Sequence, residues 1–312
     1  MLDFLTEQST RLAASTVRAY VTAISARRTS LGGSSLYTDP IVGRWLQGLK
    51  RSAKISRLIV PSWDLDVVLG YLKGAPFEPL QFASDRDLTL KAVFLVATAS
   101  ARRVCELHSL CRDEPYFQSK QTGITLYPRS GFVPKVNTAF HVREAIELPL
   151  LNTEDDPSVR LLCPCRALLA YRARSAAYAS DGVSQLFVTF GGRNRGSPAT
   201  KHTVAGWLTR TIRAAYAEAG MTPPKGAKAH QTRSQAASWA DLAGASIDSI
   251  LRAATWSSGN TFASHYQLDL AARSRSTFGR AVLTEAGSSA RSEIPSQPLY
   301  REGYRVDKAQ SQ

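Results

Sequence analysis

Apolar side chains recur along most of this chain at helical spacing, and two short stretches alternate instead. Over residues 15–28, Val17, Tyr20, Val21 and Ile24 share one helical face, with Arg18, Arg27 and Arg28 off it and Ser15 placed to cap the start. Leu31-Gly32-Gly33-Ser34-Ser35 breaks the pattern. Asp39-Pro40 restarts it with a cap and a first-turn proline, and Ile41, Val42, Trp45, Leu46 and Leu49 form the next stripe. This all-helical unit ends near Val60-Pro61. Ser62 or Asp64 then caps a helix through Leu65, Val68, Leu69 and Leu72, which Gly74-Ala75-Pro76 terminates. Residues 87–100 form a longer, strongly apolar helix. Residues 123–127 and 144–150 alternate (Ile124, Leu126; Ile146, Leu148) and predict a hairpin with a long loop containing Pro128, Gly131, Pro134, Lys135 and Asn137. Pro164 opens a helix to about residue 179, and 186–190 reads as a short strand or extended run. Over 203–219, Val204, Trp207, Leu208, Thr211, Ile212 and Ala215 face inward while Arg210 and Arg213 do not. From Glu285 onward the chain loses apolar periodicity and reads as a mostly disordered tail. The prediction is a mainly α fold with a small antiparallel β-sheet (α+β): a helical domain over 1–60, a mixed domain over 61–284 and a tail over 285–312.

Composition narrows the partners. The 312 residues are 44% hydrophobic, enough to bury a full core, and the net charge of +14 points toward a polyanion. Lys50, Arg51, Lys54 and Arg57 form one basic run, and Arg193 and Arg195 a basic loop; each is either solvated or phosphate-facing. No stretch approaches the roughly eighteen apolar residues of a membrane span, and the N-terminus lacks the form of a signal peptide, so a soluble intracellular protein is expected. Cys105, Cys111, Cys163 and Cys165 make no disulfide or metal pattern; they read as reduced thiols, with a structural zinc as the alternative.

The polar residues that remain suit one chemistry. Arg102 and Arg103 lie between apolar helical stretches, where burying a guanidinium needs an anion or a carboxylate. Glu106, one turn on, is placed to orient Arg103, and Arg102 is expected to snorkel to solvent. His230-Gln231-Thr232-Arg233 is followed by Trp256 and, ten positions later, Tyr266. Imidazole, guanidinium, indole N–H and phenol together fit displacement at a phosphodiester by a tyrosine oxygen. A phenol of pKa about 10 needs help to lose its proton, and the charged phosphorane needs fixed cationic donors.

Arg103 with Glu106, Lys135 in the hairpin, His230-x-x-Arg233, Trp256 and Tyr266, in that order, resemble the tyrosine recombinase (phage integrase) family over essentially the whole chain. Residues 100–107 (Ser-Ala-Arg-Arg-Val-Cys-Glu-Leu) and 229–239, with Ala75-Pro76-Phe77-Glu78-Pro79-Leu80, are most similar to the recombinases of DIRS- and Ngaro-type retrotransposons. The resemblance implies a helical core-binding domain, truncated here, and a catalytic domain. Arg103 and Arg233 would grip the scissile phosphate, Lys135 would protonate the departing 5′ oxygen, and His230 would assist proton transfer from Tyr266. Trp256, where many relatives carry a second histidine, would donate its indole N–H. Tyr266 would form a 3′-phosphotyrosyl linkage, and Glu106 would orient its neighbour. The implied partners are double-stranded DNA and further copies of the chain, as a tetramer on DNA. No metal, small-molecule cofactor or membrane is implied, and a eukaryotic host would place the protein in the nucleus. A type IB topoisomerase-like enzyme and a non-catalytic DNA-binding descendant are the competing readings.

Overall fold

The computed structural model describes residues 1–52, 63–135, 144–151 and 156–268. Lys54, Arg57, Asn137 and the predicted tail lie outside the described residues. The chain divides into two units, Met1–Leu58 and Ile59–Gln312.

The first unit contains α1 (Leu2–Arg11), α2 (Ala14–Ser30), a 3-10 turn (Leu36–Thr38) and α3 (Pro40–Ser52). Leu5, Val17, Val21, Leu36 and Val42 are its buried core, with Ile24, Trp45, Leu46 and Leu49 packed around them. Asp39 caps α3 as expected, its carboxylate accepting from the Ile41 N–H at 2.8 Å. Four details differ from the sequence reading. α1 was not foreseen, because only Leu5 of that helix is buried and one apolar anchor makes no period. α2 starts at Ala14 with no side-chain cap, so Ser15 lies inside the helix. Ile41 is 57% exposed, and Tyr20 stacks on Phe4 at the surface instead of entering the core.

The second unit is built around one helix. Asp64 caps α4 (Leu65–Leu72), and Ser84 caps α5 (Asp85–Ser100) by accepting from the Asp87 N–H at 3.1 Å. Every residue of α5 from Leu88 to Ala97 is buried, which its all-round apolar composition demands. Around it pack α8 (Pro164–Ala176), α9 (Lys201–Glu218), α10 (Gln231–Leu242) and strand β3 (Ile146–Pro149). Lys91, the one cation in the middle of α5, is fully buried. It donates to the Leu72 carbonyl at 2.7 Å and pairs with Glu78, which also pairs with Arg166.

The sheet is antiparallel in the order β1 (Phe117–Lys120), β2 (Gly123–Leu126), β3, with Ile124 opposite Leu148 and Leu126 opposite Ile146. β1 was not foreseen, since Phe117 is its only apolar residue. Gly123 is required where it stands: φ is +155°, and a Cβ there would lie 2.1 Å from the Leu148 carbonyl oxygen. Residues 186–190 form no ladder; Leu186, Phe187 and Val188 are buried, Thr189 and Phe190 half-buried, and the run is held by single bridges such as Val188 with Pro198. Two short helices precede or follow the main layer: α6 (Val104–His108) and α7 (Pro157–Arg160). After α10 come α11 (Ile247–Ala253) and α12 (Gly259–His265). The four cysteines are free thiols, and no cluster able to hold a metal occurs among the described residues.

Candidate active site

Helix α5 ends in a conformation that L-amino acids seldom adopt. Ala101 adopts the left-handed conformation (φ +49°, ψ 27°) and turns the chain so that Arg103 becomes the N-cap of α6. Glu106, 4% exposed, accepts the Arg103 backbone N–H at 3.2 Å and its guanidinium Nη1 at 2.9 Å. One carboxylate thus fixes both the backbone and the side chain of Arg103, whose side chain stays 19% exposed. Arg102 does not snorkel. It is 5% exposed, and its Nη2 donates to the carbonyls of Ala145 (2.8 Å) and Glu144 (3.3 Å), because the left-handed turn aims it at the strand side of the unit.

Arg233 comes from the first turn of α10 and is 2% exposed. Its Nη1 donates to the Ala101 carbonyl at 3.2 Å, its Nη2 to the Ala254 carbonyl, and its Nε has no protein partner. The guanidinium carbon lies 4.5 Å over the Trp256 ring and 5.6 Å from the Tyr266 ring. Burial, followed by the charge of Arg103, pulls the Arg233 pKa down to about 10, with Glu106 and Tyr266 opposing. It remains cationic at neutral pH. The two guanidinium groups therefore occupy one electrostatic neighbourhood, with Glu106 as its buried carboxylate.

Trp256 follows a second left-handed residue, Thr255 (φ +49°), at the end of α11. It is 3% exposed, stacks on Phe262 and lies 4.5 Å from the Tyr266 ring, and its Nε1 has no protein partner. Tyr266 caps α12, half-buried. Its backbone is pinned to α10, since Ser238 Oγ donates to the Tyr266 carbonyl at 3.2 Å and accepts from the Leu268 N–H at 2.8 Å. Ala101, Ala237, Ile250, Ala254, Trp256 and Phe262 make a small separate core beneath this tyrosine.

His230 is exposed at the N-cap of α10, one turn before Arg233. Its pKa is lowered by the shielding its ring does receive and then by Lys228. It stands at the edge of a groove of about 900 Å³ running along α9, which also exposes His202, Arg210, Arg213 and Lys228 and no carboxylate. The outward-facing Arg210 and Arg213 belong to this groove, as does Val104 beside Arg103; their i, i+3 spacing was the only sequence signal for it.

Arg103, Glu106, Arg233, Trp256 and Tyr266 thus form one cluster with His230 one turn away. Lys135 stands exposed on the limb leaving β2. Lys50 and Arg51 are exposed in the last turn of α3, in the other unit. Arg193 is exposed, whereas Arg195 pairs with Asp85 at 2.7 Å and lies over the Tyr178 ring. Asp85 is at the start of α5, about 22 Å along the helix from Ser100 by its rise of about 1.5 Å per residue, so Arg195 fastens the far end of that helix.

No protein-family model matches the chain, and no curated protein matches it. Solved structures do. The XerH site-specific recombinase in its post-cleavage complex with palindromic difH superposes with a TM-score of 0.55 at 16% identity, over 92% of this chain and 70% of that one. The Tn1549 transposon integrase in complex with transposon right-end DNA gives 0.54 at 15% identity, over 92% of this chain and 85% of that one. Mostly helical, with a three-stranded antiparallel sheet flanking a central helix, this chain has the tyrosine recombinase catalytic fold.

Proposed function

We propose that the protein is a site-specific DNA recombinase or integrase that cuts and rejoins strands through a covalent tyrosyl intermediate. The observation carrying this reading is that Arg233, near enough to Arg103 for the two charges to repel, lies beside the Tyr266 ring. Two neighbouring guanidinium groups, with Glu106 as the buried carboxylate paired to one of them, leave positive charge that an anion would neutralise. A phosphodiester supplies that anion. The planar forks suit its non-bridging oxygens, and Nε1 of Trp256, buried without a protein partner, would be a further donor to it.

In this mechanism the Tyr266 oxygen attacks phosphorus, a 3′-phosphotyrosyl bond forms, and the bond from phosphorus to the 5′ oxygen breaks. His230 takes up the phenolic proton and Lys135 gives one to the leaving 5′ oxygen. Rejoining reverses the sequence with a 5′ hydroxyl as nucleophile. The cationic groove beside His230 follows the backbone of the bound duplex. XerH and the Tn1549 integrase, which share the fold, were crystallised on DNA. Residues 1–60 would act as a helical DNA clamp, Lys50 and Arg51 adding phosphate contacts, and four copies would assemble on two duplexes. The phrases at 100–107 and 229–239 resemble those of DIRS- and Ngaro-type retrotransposon recombinases, which supports reading the chain as one of them, acting in the nucleus of a eukaryotic host.

The test incubates the protein with a randomised pool of nicked suicide duplexes and recovers strands that stay attached after denaturation. Sequenced adducts converging on a short site are the expected result. Binding with no adduct from the whole pool would favour a non-catalytic DNA-binding protein. Adducts without site preference, with relaxation of supercoils by a monomer, would favour a topoisomerase.

A further inference from the structure

Arg102 has no part in the mechanism above, yet it is almost fully buried next to a residue that does. A leucine there would fill the space without burying a charge, so the guanidinium needs a reason. Burial pushes its pKa down, opposed by Glu106 and Glu144, and its Nε has no protein partner. What it holds is informative. Nη2 grips the carbonyls of Glu144 and Ala145, the two residues that lead into β3. Nη1 is 3.9 Å from Glu106 Oε2, the same oxygen that accepts the Arg103 N–H.

Glu144 and Ala145 are the returning root of the loop between β2 and β3, and Lys135 lies on its outgoing limb. The outgoing root is fastened to the other end of α6: the Arg129 N–H donates to the Ser109 carbonyl at 2.8 Å, and Leu110 bridges Pro128. Both roots of the Lys135 loop are therefore tied to the short helix whose N-cap is Arg103, one through Ser109 and Leu110 and the other through Arg102.

We propose that Arg102 is a positioning residue for proton donation: it clamps the start of β3 and, through the pairing of β3 with β2, the strand from which Lys135 departs, so that Lys135 is directed to the phosphate held by Arg103. The proposal rests on the assignment of Lys135 as the donor. A group misplaced by about 1 Å loses on the order of 10²-fold in rate, and general-acid catalysis contributes about 10²–10⁴-fold. Arg102→Met should therefore slow cleavage by about 10–10²-fold with DNA affinity within about twofold of wild type.

The distinguishing experiment replaces the scissile 5′ bridging oxygen by sulfur. Phosphorus–sulfur cleavage expels a thiolate that needs no proton, so a defect in proton donation disappears on this substrate while a defect in phosphate gripping persists. Single-turnover cleavage of both duplexes is measured for wild type, Arg102→Met, Arg102→Lys and Lys135→Ala. Arg102→Met should regain near-wild-type rate on the sulfur duplex, and Arg102→Lys, which keeps the charge but cannot span both carbonyls, should show a smaller defect rescued in the same way. An equal defect on both duplexes, wild-type rates on both, or failure of both Arg102 variants to fold would each overturn the positioning role. Lys135→Ala reports separately: if sulfur does not rescue it, the donor assignment falls, whatever the Arg102 variants do.

Discussion

Arg233→Met separates what that residue does for the fold from what it does for chemistry. Holding the guanidinium in its buried place pulls its pKa well below the usual arginine range, to about 10. At about 1.4 kcal/mol per unit, that charge is disfavoured in the folded state by roughly 3 kcal/mol. Methionine removes this penalty and roughly keeps the volume and the apolar contact with Trp256 and Tyr266, so no large cavity opens. Against the gain, the carbonyls of Ala101 and Ala254 lose their donor, at about 1–3 kcal/mol each. The opposing contributions are of similar size. At about 2–4 °C per kcal/mol for a domain of this size, Tm should move by no more than about 10 °C. Cleavage behaves differently, because one fixed donor to a developing phosphorane is worth about 10²–10³-fold in rate. Single-turnover adduct formation on a selected suicide duplex, run well below Tm, reads the second effect; a thermal melt reads the first. Cleavage by Arg233→Met within tenfold of wild type would refute the reasoning, since the residue would then be a structural tie and not a phosphate ligand.

Four other outcomes follow from the same geometry. Tyr266→Phe keeps the ring on Trp256 and Arg233, so the adduct should vanish while the Kd for DNA stays within about twofold; a surviving adduct, detected by denaturing gel, would displace Tyr266 as nucleophile. The lowered pKa of His230 leaves it neutral at pH 7, so cleavage that needs it as proton acceptor should hold down to about pH 6.5 and decline below as the ring charges; His230→Gln should lose that decline. Folding favours the neutral ring in the same sense, so the stability it adds is present above pH 6.5 and is lost as pH falls through the lower folded-state value. Affinity should fall steeply with salt, and Arg210→Ala with Arg213→Ala should make the slope of log K against log salt shallower by about two, measured by fluorescence anisotropy. Gly123→Ala should lower Tm by several degrees in calorimetry, because the added Cβ meets the Leu148 carbonyl and the backbone is already in glycine's territory.

Long periodic segments were legible from residues alone. The 203–219 stripe became α9, the 87–100 stripe became α5, and the alternating pairs Ile124/Leu126 and Ile146/Leu148 face each other in register. Segments with one anchor were not legible: α1 buries only Leu5, and β1 offers only Phe117. The extended run at 186–190 has strand composition but no partner long enough to make a ladder, and composition does not reveal partners. Arg102 was misjudged for a related reason. Adjacent arginines look equivalent in sequence, and only the sense of the turn before them decides that one meets carbonyls and the other a carboxylate. The residue order Arg103, Arg233, Tyr266 could be read from the chain; that two helix ends bring them together could not.

Those two ends share a construction. α5 and α11 both stop at a residue with φ near +49°, and the residues are Ala101 and Thr255, not the glycines that favour this region. A left-handed L-residue is less stable by about 1–2 kcal/mol, and both are buried, 6% and 1% exposed. Arg233 reaches the two turns at once, bonding the Ala101 carbonyl with one nitrogen and the Ala254 carbonyl, just before Thr255, with the other. The turns it fastens are those from which Arg103 and Trp256 emerge. Glycine would remove the strain but widen the directions in which each turn could leave its helix. With alanine and threonine the turns are narrow, and one guanidinium sets the distance between them. The residue proposed to bind the phosphate is therefore also the one that sets where its neighbours stand, which is why strain concentrates here and not elsewhere in the described backbone.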